Sequence, residues 1–344
     1  MIVVICIIFL VVLKIYISIK HPFWNRQPIF HIYNIYYWFF KRGVIYNSLP
    51  PTDRKYYDTT ISHYTFNNLT SNHKKIILKF IKDNWLNVKN KNFKPYIENF
   101  KYISMLKTDC MKGIICGEEL SMGNNKVLYV DYLCVSKHFR EKNISPKLIY
   151  NFFLKHHHEF KIFLFKWENK NMNIVPMCVY NVHHYKNIKF NINTDFNPLK
   201  LVTITKEHLH LINKSDINKK FKITIYSNHN TFVTQIENNY IKIYALMKDK
   251  LVLGLYFFHR YNETSYNCYA SINFDTKENF IYGIKTIINT LGKTLISIDD
   301  TSHSNILIES VHKEVKPYVT ETHSYYFYNY INFPENSNDV LIIN

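Results

Sequence analysis

Val127–Ile149 reads VLYVDYLCVSKHFREKNISPKLI, and the chain is organised around it. Val127–Val135 is mostly β-branched, aromatic or aliphatic, with no Gly or Pro, which is the pattern of a strand. A short polar loop follows, carrying Lys137, Arg140, Lys142 and Asn143. Ser145-Pro146 predicts a helix start, with Ser145 as N-cap and Pro146 at the first helical position. Leu148, Ile149, Phe152 and Phe153 then give that helix one apolar face. A strand that turns through a basic loop into a helix N-terminus is an anion-binding device, because free backbone N–H groups and the helix dipole meet there. Gly-rich nucleotide loops are excluded by count: the chain has 7 glycines, and neither GxGxxG nor a Walker A pattern occurs.

The loop Arg140-Glu141-Lys142-Asn143-Ile144-Ser145 resembles the R/Q-x-x-G-x-G/A pyrophosphate loop of GNAT-superfamily acyltransferases. Asn143 and Ser145 stand where that family has small residues, and Asn tolerates a left-handed backbone well. The longer stretch is more specific. Asp131-Tyr132-Leu133-Cys134-Val135, then Arg140, Lys142 and Pro146–Ile149, is similar to the N-F-L-C-V…R-S-K-R…A-P-x-L-I signature of eukaryotic N-myristoyltransferases. Phe23–Pro28, FWNRQP, resembles their F-W-x-x-Q-P, and Tyr325–Tyr330, YYFYNY, their Y-Y-L-Y-N-W. The three matches lie in the family's order, and the resemblance runs from Pro22 to Asn344.

Composition bounds the alternatives. A chain of 344 residues has room for one large or two ordinary domains. The net charge of +17 suggests an anionic partner such as acyl-CoA, a membrane surface or nucleic acid. Abundant Lys, Asn, Ile, Tyr and Phe beside scarce Gly also match AT-rich coding, which accounts for at least half of that charge. No nucleic-acid module is visible, so no nucleic-acid partner is expected. Six scattered cysteines, none in a CxxC pair, fit a reducing compartment and offer no metal framework. His156-His157-His158 cannot share one helix face, so no metal is expected there either.

Met1–Ile19 is apolar apart from Lys14 and Ser18, and at about 1.5 Å per residue nearly matches a hydrocarbon core roughly 30 Å thick. A membrane anchor is expected in preference to a buried helix. Lys20, Arg26, Lys41 and Arg42 after it place the body on the cytoplasmic side. Residues 21–58 form an aromatic, basic arm. A helix is predicted over Asn72–Trp85, strands around Tyr102–Leu106 and Gly113–Glu118, and a strand at Lys161–Trp167 after the central helix. The order repeats in strands at Tyr240–Met247, Leu251–His259 and Tyr269–Asn273, a helix over Asn279–Leu291, and strands at Thr294–Ile298 and Tyr325–Asn332. The expected fold is α+β: two tandem GNAT-like halves, residues 59–205 and 206–344, forming a mixed twisted sheet flanked by helices, behind a transmembrane segment at 1–20.

The resemblance implies myristoyl-CoA as co-substrate and an N-terminal glycine peptide as acceptor, that is, a glycylpeptide N-tetradecanoyltransferase-like activity. It puts Phe23, Trp24, Tyr132, Leu133, Cys134, Val135, Arg140, Glu141, Lys142, Asn143, Ile144 and Ser145 around the acyl-CoA. Backbone N–H groups of a bulge at Tyr132 and Leu133 would form an oxyanion hole, of the kind that contributes about 3 kcal/mol per donor. The α-carboxylate of Asn344 would be the base, drawn inward by the apolar run Val340–Ile343. Asp131, Tyr180 and Glu321 would meet the peptide. The family's acidic run is missing, since Asn84–Lys94 reads NWLNVKNKNFK. Two other outcomes stay open: a GNAT-type N-acyltransferase using another acyl-CoA and amine, and a non-catalytic acyl- or peptide-binding module. A monomer is expected.

Overall fold

The computed structural model describes residues 2–85, 100–168, 174–192, 199–292 and 294–344, with the backbone alone for Ile2 and Val3. The first part of the chain runs α1 (Ile2–Lys20), α2 (Ile35–Phe39), β1 (Gly43–Val44), β2 (Ile61–Thr65), α3 (Ser71–Asn84), β3 (Tyr102–Lys107), β4 (Met111–Met122), β5 (Asn125–Val135), α4 (Ile144–His156), β6 (Ile162–Glu168), β7 (Cys178–Lys186) and β8 (Lys200–Ile204). It continues with α5 (Lys214–Asn218), β9 (Ile223–Ser227), α6 (His229–Glu237), β10 (Ile241–Lys248), β11 (Leu251–Asn262), β12 (Ser265–Asn273) and α7 (Lys277–Leu291). The last elements are β13 (Leu295–Asp299), α8 (Ser304–Glu314), β14 (Val319–Tyr328), β15 (Tyr330–Ile331) and β16 (Val340–Ile343).

Fourteen of these strands form one mixed sheet in the order β16-β9-β4-β5-β6-β14-β7-β13-β12-β11-β10-β8, with β2 and β3 continuing from β4. The same unit occurs twice in it. In the first half β4 and β5 are antiparallel, α4 crosses over, and β6 returns parallel to β5. In the second half β11 and β12 are antiparallel, α7 crosses over, and β13 returns parallel to β12.

Each parallel pair is short, and each ends where a bulge begins. β5 pairs with β6 only over Val127–Val130, and its register with β4 skips between Cys116↔Asp131 and Ile114↔Cys134. β12 pairs with β13 only over Ser265–Cys268, and its register with β11 skips between Phe258↔Cys268 and Phe257↔Ala270. The second parting is filled from within: Ser302 Oγ accepts the Ser271 N–H at 3.0 Å, and the Thr301 hydroxyl donates to the Tyr269 carbonyl at 3.0 Å. The first parting is open.

α4 closes down hard on the sheet. Ile144, Leu148, Phe152 and Phe153 are all buried, and β4 presents glycines beneath them. A Cβ on Gly113 would lie 2.8 Å from Leu148 Cδ1, and one on Gly117 2.7 Å from Phe152 Cζ. The helix begins at Ile144, not at Ser145-Pro146. Its N-cap is Asn143, whose left-handed φ of 58° turns the chain so that Ile144 enters the core, while Pro146 sits in the first turn, where no intrahelical donor is missed.

The two terminal motifs of the chain meet. Tyr328 donates to Gln27 Oε1 at 2.5 Å, and the Asn329 N–H donates to the Pro28 carbonyl at 2.6 Å. Asn329, fully buried, also donates through Nδ2 to the Tyr46 and Lys161 carbonyls and accepts the Tyr46 N–H. The N-terminal arm is thereby stapled to β14 in the middle of the sheet.

α1 touches the body through a stripe of Leu10, Leu13 and Ile17, and of these Ile17 is buried. Among the described residues no helix is long and apolar enough to cross a membrane, so the expected transmembrane segment has no support there; the described side chains of α1 begin only at Val4.

Gly117→Ala is expected to lower stability by about 1–3 kcal/mol, the usual effect of overpacking a filled core. Denaturant unfolding of the two proteins measures it; no change would mean that α4 does not press on β4 at Phe152.

Candidate functional site

The open parting between β5 and β6 leads into a cavity of about 1620 Å³. Trp24, Asp131, Tyr132, Leu133, Cys134, Val135, Arg140, Ser145, Glu321 and Asn344, all expected at the site, line it. Tyr180 lies one layer behind, buried and stacked on the lining Tyr325 with ring centres 5.4 Å apart. Phe23, Glu141, Lys142, Asn143 and Ile144 are not among the described lining residues. Phe23 packs edge-on against Trp24 and Tyr56, and Trp24 in turn stacks on Phe165 at 5.6 Å inside the cavity. Ile144 is core, and Glu141 and Lys142 are exposed on the loop.

The loop after β5 is left-handed at two residues, of which only Asn143 was expected to be. Glu141 at φ 62° and Asn143 at φ 58° are both left-handed, and alternation of this kind turns successive N–H groups toward one concave, anion-favouring side. α4 adds its N-terminus directly behind. Arg140 is anchored as well as charged: Nη2 donates to the Asn84 carbonyl at 2.7 Å, which fixes the loop to the C-terminus of α3.

Tyr132 has φ 46°, so the bulge is left-handed at a buried aromatic residue. For a bulky side chain that is strained, and such strain persists only where the surroundings enforce it. Phe100 and Trp85 hold the ring edge-on at 5.3 and 5.2 Å. The Tyr132 N–H is occupied by its own neighbour, donating to Asp131 Oδ1 at 2.7 Å. Burial pushes the Asp131 carboxyl up to about 6, although that hydrogen bond and Lys166 favour the charged form.

The opposite wall is built by the second half and the chain end. β16 pairs parallel with β9, with Ile343 opposite Tyr226, and brings Asn344 into the interior at 8% exposure. β9 is joined to β4 by the Ser227 hydroxyl, which donates to the buried Glu118 carboxyl at 2.7 Å. His259 lies 2.9 Å from the Asn344 backbone oxygen through Nε2 and stacks on Tyr269 with ring centres 3.8 Å apart. Burial drives the His259 pKa down to about 4, so the ring is neutral and donates to that oxygen through Nε2–H at neutral pH.

Three lining residues were invisible to motif reading: His259, Lys166 and Asp299. Lys166 sits opposite Tyr325 on β6, with its ammonium 5.7 Å from the Tyr180 ring centre. Asp299 is 3% exposed, and its Oδ1 has no hydrogen-bond partner among the described residues. Burial raises its pKa to about 6 against the pull of Lys166 and Asn267. Period-2 alternation does place Ser297 and Asp299 on one face of β13, but nothing local says that this face opens on a cavity. Glu321 sits between two neutral imidazoles, 3.6 Å from His184 Nε2 and 3.4 Å from His323 Nε2. Among the described residues no cluster of His, Cys, Asp or Glu could hold a metal ion. Cys134 and Cys178 have burial-raised thiol pKa values of about 11 and 12, unlike activated nucleophiles. The expected gap in acidic residues at Asn84–Lys94 falls mostly outside the described residues.

Saccharomyces cerevisiae N-myristoyltransferase with bound myristoyl-CoA superposes with a TM-score of 0.68 at 12% identity, over 92% of this chain and 94% of that one. The chain has the fold of N-myristoyltransferase. The yeast enzyme with bound myristoyl-CoA and inhibitors agrees, with a TM-score of 0.68, 13% identity and 95% coverage of each chain. The N-myristoyltransferase fold accounts for the repeated βαβ unit and the mixed sheet flanked by helices. No protein-family model matches the sequence, and no curated protein matches it either.

Asp299 holds a desolvated charge, and the sign of its effect follows. A folded-state pKa raised from 3.8 to about 6 gives a contribution that is full below 3.8 and lost as the pH rises through 6. Asp299→Asn is therefore expected to raise the melting temperature, by a margin that grows from near pH 3.8 to about 6 and is level above. Melting curves of both proteins across that range decide it; a margin independent of pH would rule the assignment out.

Proposed function

We propose that this protein transfers a long acyl chain of the myristoyl class from acyl-CoA to the N-terminal amine of a glycine-initiated protein. One observation carries the reading: the bulge at Tyr132-Leu133, the anion-favouring loop before α4 and Asn344 all border one cavity. Support also comes from the likeness to yeast N-myristoyltransferase, whose solved structures hold myristoyl-CoA.

In the proposed reaction the CoA phosphates sit on the loop of Arg140, Lys142, Asn143 and Ser145, with the acyl chain in the parting between β5 and β6. The acceptor amine must be neutral to attack, and an N-terminal amine has an ordinary pKa of about 8. The α-carboxylate of Asn344 takes its proton, held in place by His259. The C–N bond forms as the thioester carbonyl becomes an oxyanion at the Tyr132-Leu133 bulge. The C–S bond then breaks, and the thiolate leaves with CoA. Asp131, Tyr180 and Glu321, with Lys166 and Asp299, form the acceptor end. α1 is proposed to seat the protein on a membrane with the body in the cytoplasm. Its support is that Val4, Phe9, Val12, Ile15 and Ile19 are each more than half exposed although apolar.

One observation favours a second reading. The Asp131 carboxylate occupies the Tyr132 N–H at 2.7 Å, placing an anion where an oxyanion would form, as in a module that binds acyl chains without turning them over.

The test incubates the full chain in detergent micelles with myristoyl-CoA and a Gly-initiated peptide, following free thiol and acyl-peptide mass. Turnover is expected, and Ala-Gly appended after Asn344 should reduce it about 100-fold or more, as loss of a positioned base does. Equal rates would dismiss the terminal carboxylate. Acyl-CoA binding without turnover would favour the second reading, and no acyl-CoA binding would dismiss both. His259→Phe keeps the stack on Tyr269 but removes the donor, and kcat is expected to fall about 10- to 100-fold, the worth of a hydrogen bond to a charged group.

A further inference from the structure

α2 and the turn before it divide into two faces. Tyr37 and Trp38 point inward: Phe30 packs 6.1 and 4.7 Å from their ring centres, and Phe333 lies 5.8 Å from Trp38. Ile32, Ile35, Tyr36, Phe39 and Phe40 point out, with exposures of 51, 46, 57, 76 and 74%. Tyr36 stacks on Phe40 at 5.9 Å and Phe39 lies 6.3 Å from Phe40, and the outward side chains form a ridge with no charged residue in it. Lys41 and Arg42 follow at its end.

The ridge is tied to the foot of α1. Tyr33 donates to Asn25 Oδ1 at 2.7 Å, and Asn25 Nδ2 donates to Ser18 Oγ in the last turn of α1 at 3.3 Å. α1 indicates what covers this region. A protein groove covers one face of a helix, but α1 leaves apolar side chains exposed on every side except the Leu10–Leu13–Ile17 stripe. A helix with apolar side chains exposed on so many sides among the described residues calls for lipid.

We propose that the ridge Ile32, Ile35, Tyr36, Phe39 and Phe40 is a second membrane contact, seated at the headgroup–acyl boundary of an anionic bilayer beside α1. Aromatic rings with a polar margin suit that depth, and Lys20, Lys41 and Arg42 carry the charge that anionic headgroups attract. The two elements are joined through Ser18, Asn25 and Tyr33, so the body would lie on the bilayer with a set orientation, not swing from a single helix. The inference extends the proposed role of α1 and is independent of acyl transfer.

The test uses the full chain with its exposed cysteines replaced (Cys6→Ser, Cys110→Ser). A polarity-sensitive fluorophore is placed at Phe39→Cys, at Phe40→Cys, or, as a control, at Leu251→Cys, which is 68% exposed at the start of β11. Vesicles of mixed phosphatidylcholine and phosphatidylserine are added, and bound protein is confirmed by co-sedimentation. A blue shift is expected at 39 and 40, with collisional quenching by a lipid-borne quencher, and neither is expected at 251. Vesicle-bound protein with unshifted labels at 39 and 40 overturns the ridge contact while leaving α1 in place. Failure to co-sediment overturns both. A shifted label without vesicles, with a dimer mass by light scattering, overturns it in favour of a second copy of the chain.

Discussion

β5 and β6 keep company for four residue pairs and then separate, and the rest of the structure depends on that separation. Parallel strands that stayed paired would close the middle of the sheet. The bulge at Tyr132 prevents this by turning the backbone left-handed, at a position where Phe100 and Trp85 pack edge-on against the ring. α4 can then begin close behind β5, because Gly113 and Gly117 let it sink against β4. One backbone irregularity thus makes a cavity and aims a helix N-terminus at its mouth.

The cavity wall is electrostatically expensive. Asp131 and Asp299 are carboxyls that burial pushes up to about 6, and Glu118, behind the wall, reaches about 8. Buried ionisable groups of this kind are poor for stability and are found disproportionately where chemistry needs them. Lys166 serves several at once: it favours ionisation of both aspartates and disfavours protonation of His259 and His323. Burial is the larger cause in each case, and this one ammonium is the charge that they share. In a chain of net charge +17, the cavity wall still carries more carboxylate than cation among its described residues.

Much of the fold was legible because its signals are local. The strand at Val127–Val135, the helix after the basic loop and the terminal strand all follow from hydrophobic periodicity, and all are present. Asn143 was read as tolerant of a left-handed backbone and adopts one, but it also starts the helix, displacing Ser145 from the cap. Burying Ile144 outweighed the serine and proline signals. The site was legible where it follows a motif and illegible where it follows register. His259 and Asp299 reach the cavity because β11 and β13 pair with β12 in a particular phase, and phase between distant strands leaves no mark on either sequence. The meeting of Gln27 with Tyr328 and of Pro28 with Asn329 explains why the two end motifs matter together: they are two sides of one staple.

The filled second parting has a consequence of its own. A molecule assembled from two copies of one unit could have offered two equivalent vacancies, as a duplicated receptor often does. Here the Thr301–Ser302 turn occupies the later one with hydrogen bonds of its own, and the second half became a wall for the first. The symmetry of the scaffold is therefore not carried into its partings: one opens on the cavity and the other is closed by the chain's own turn.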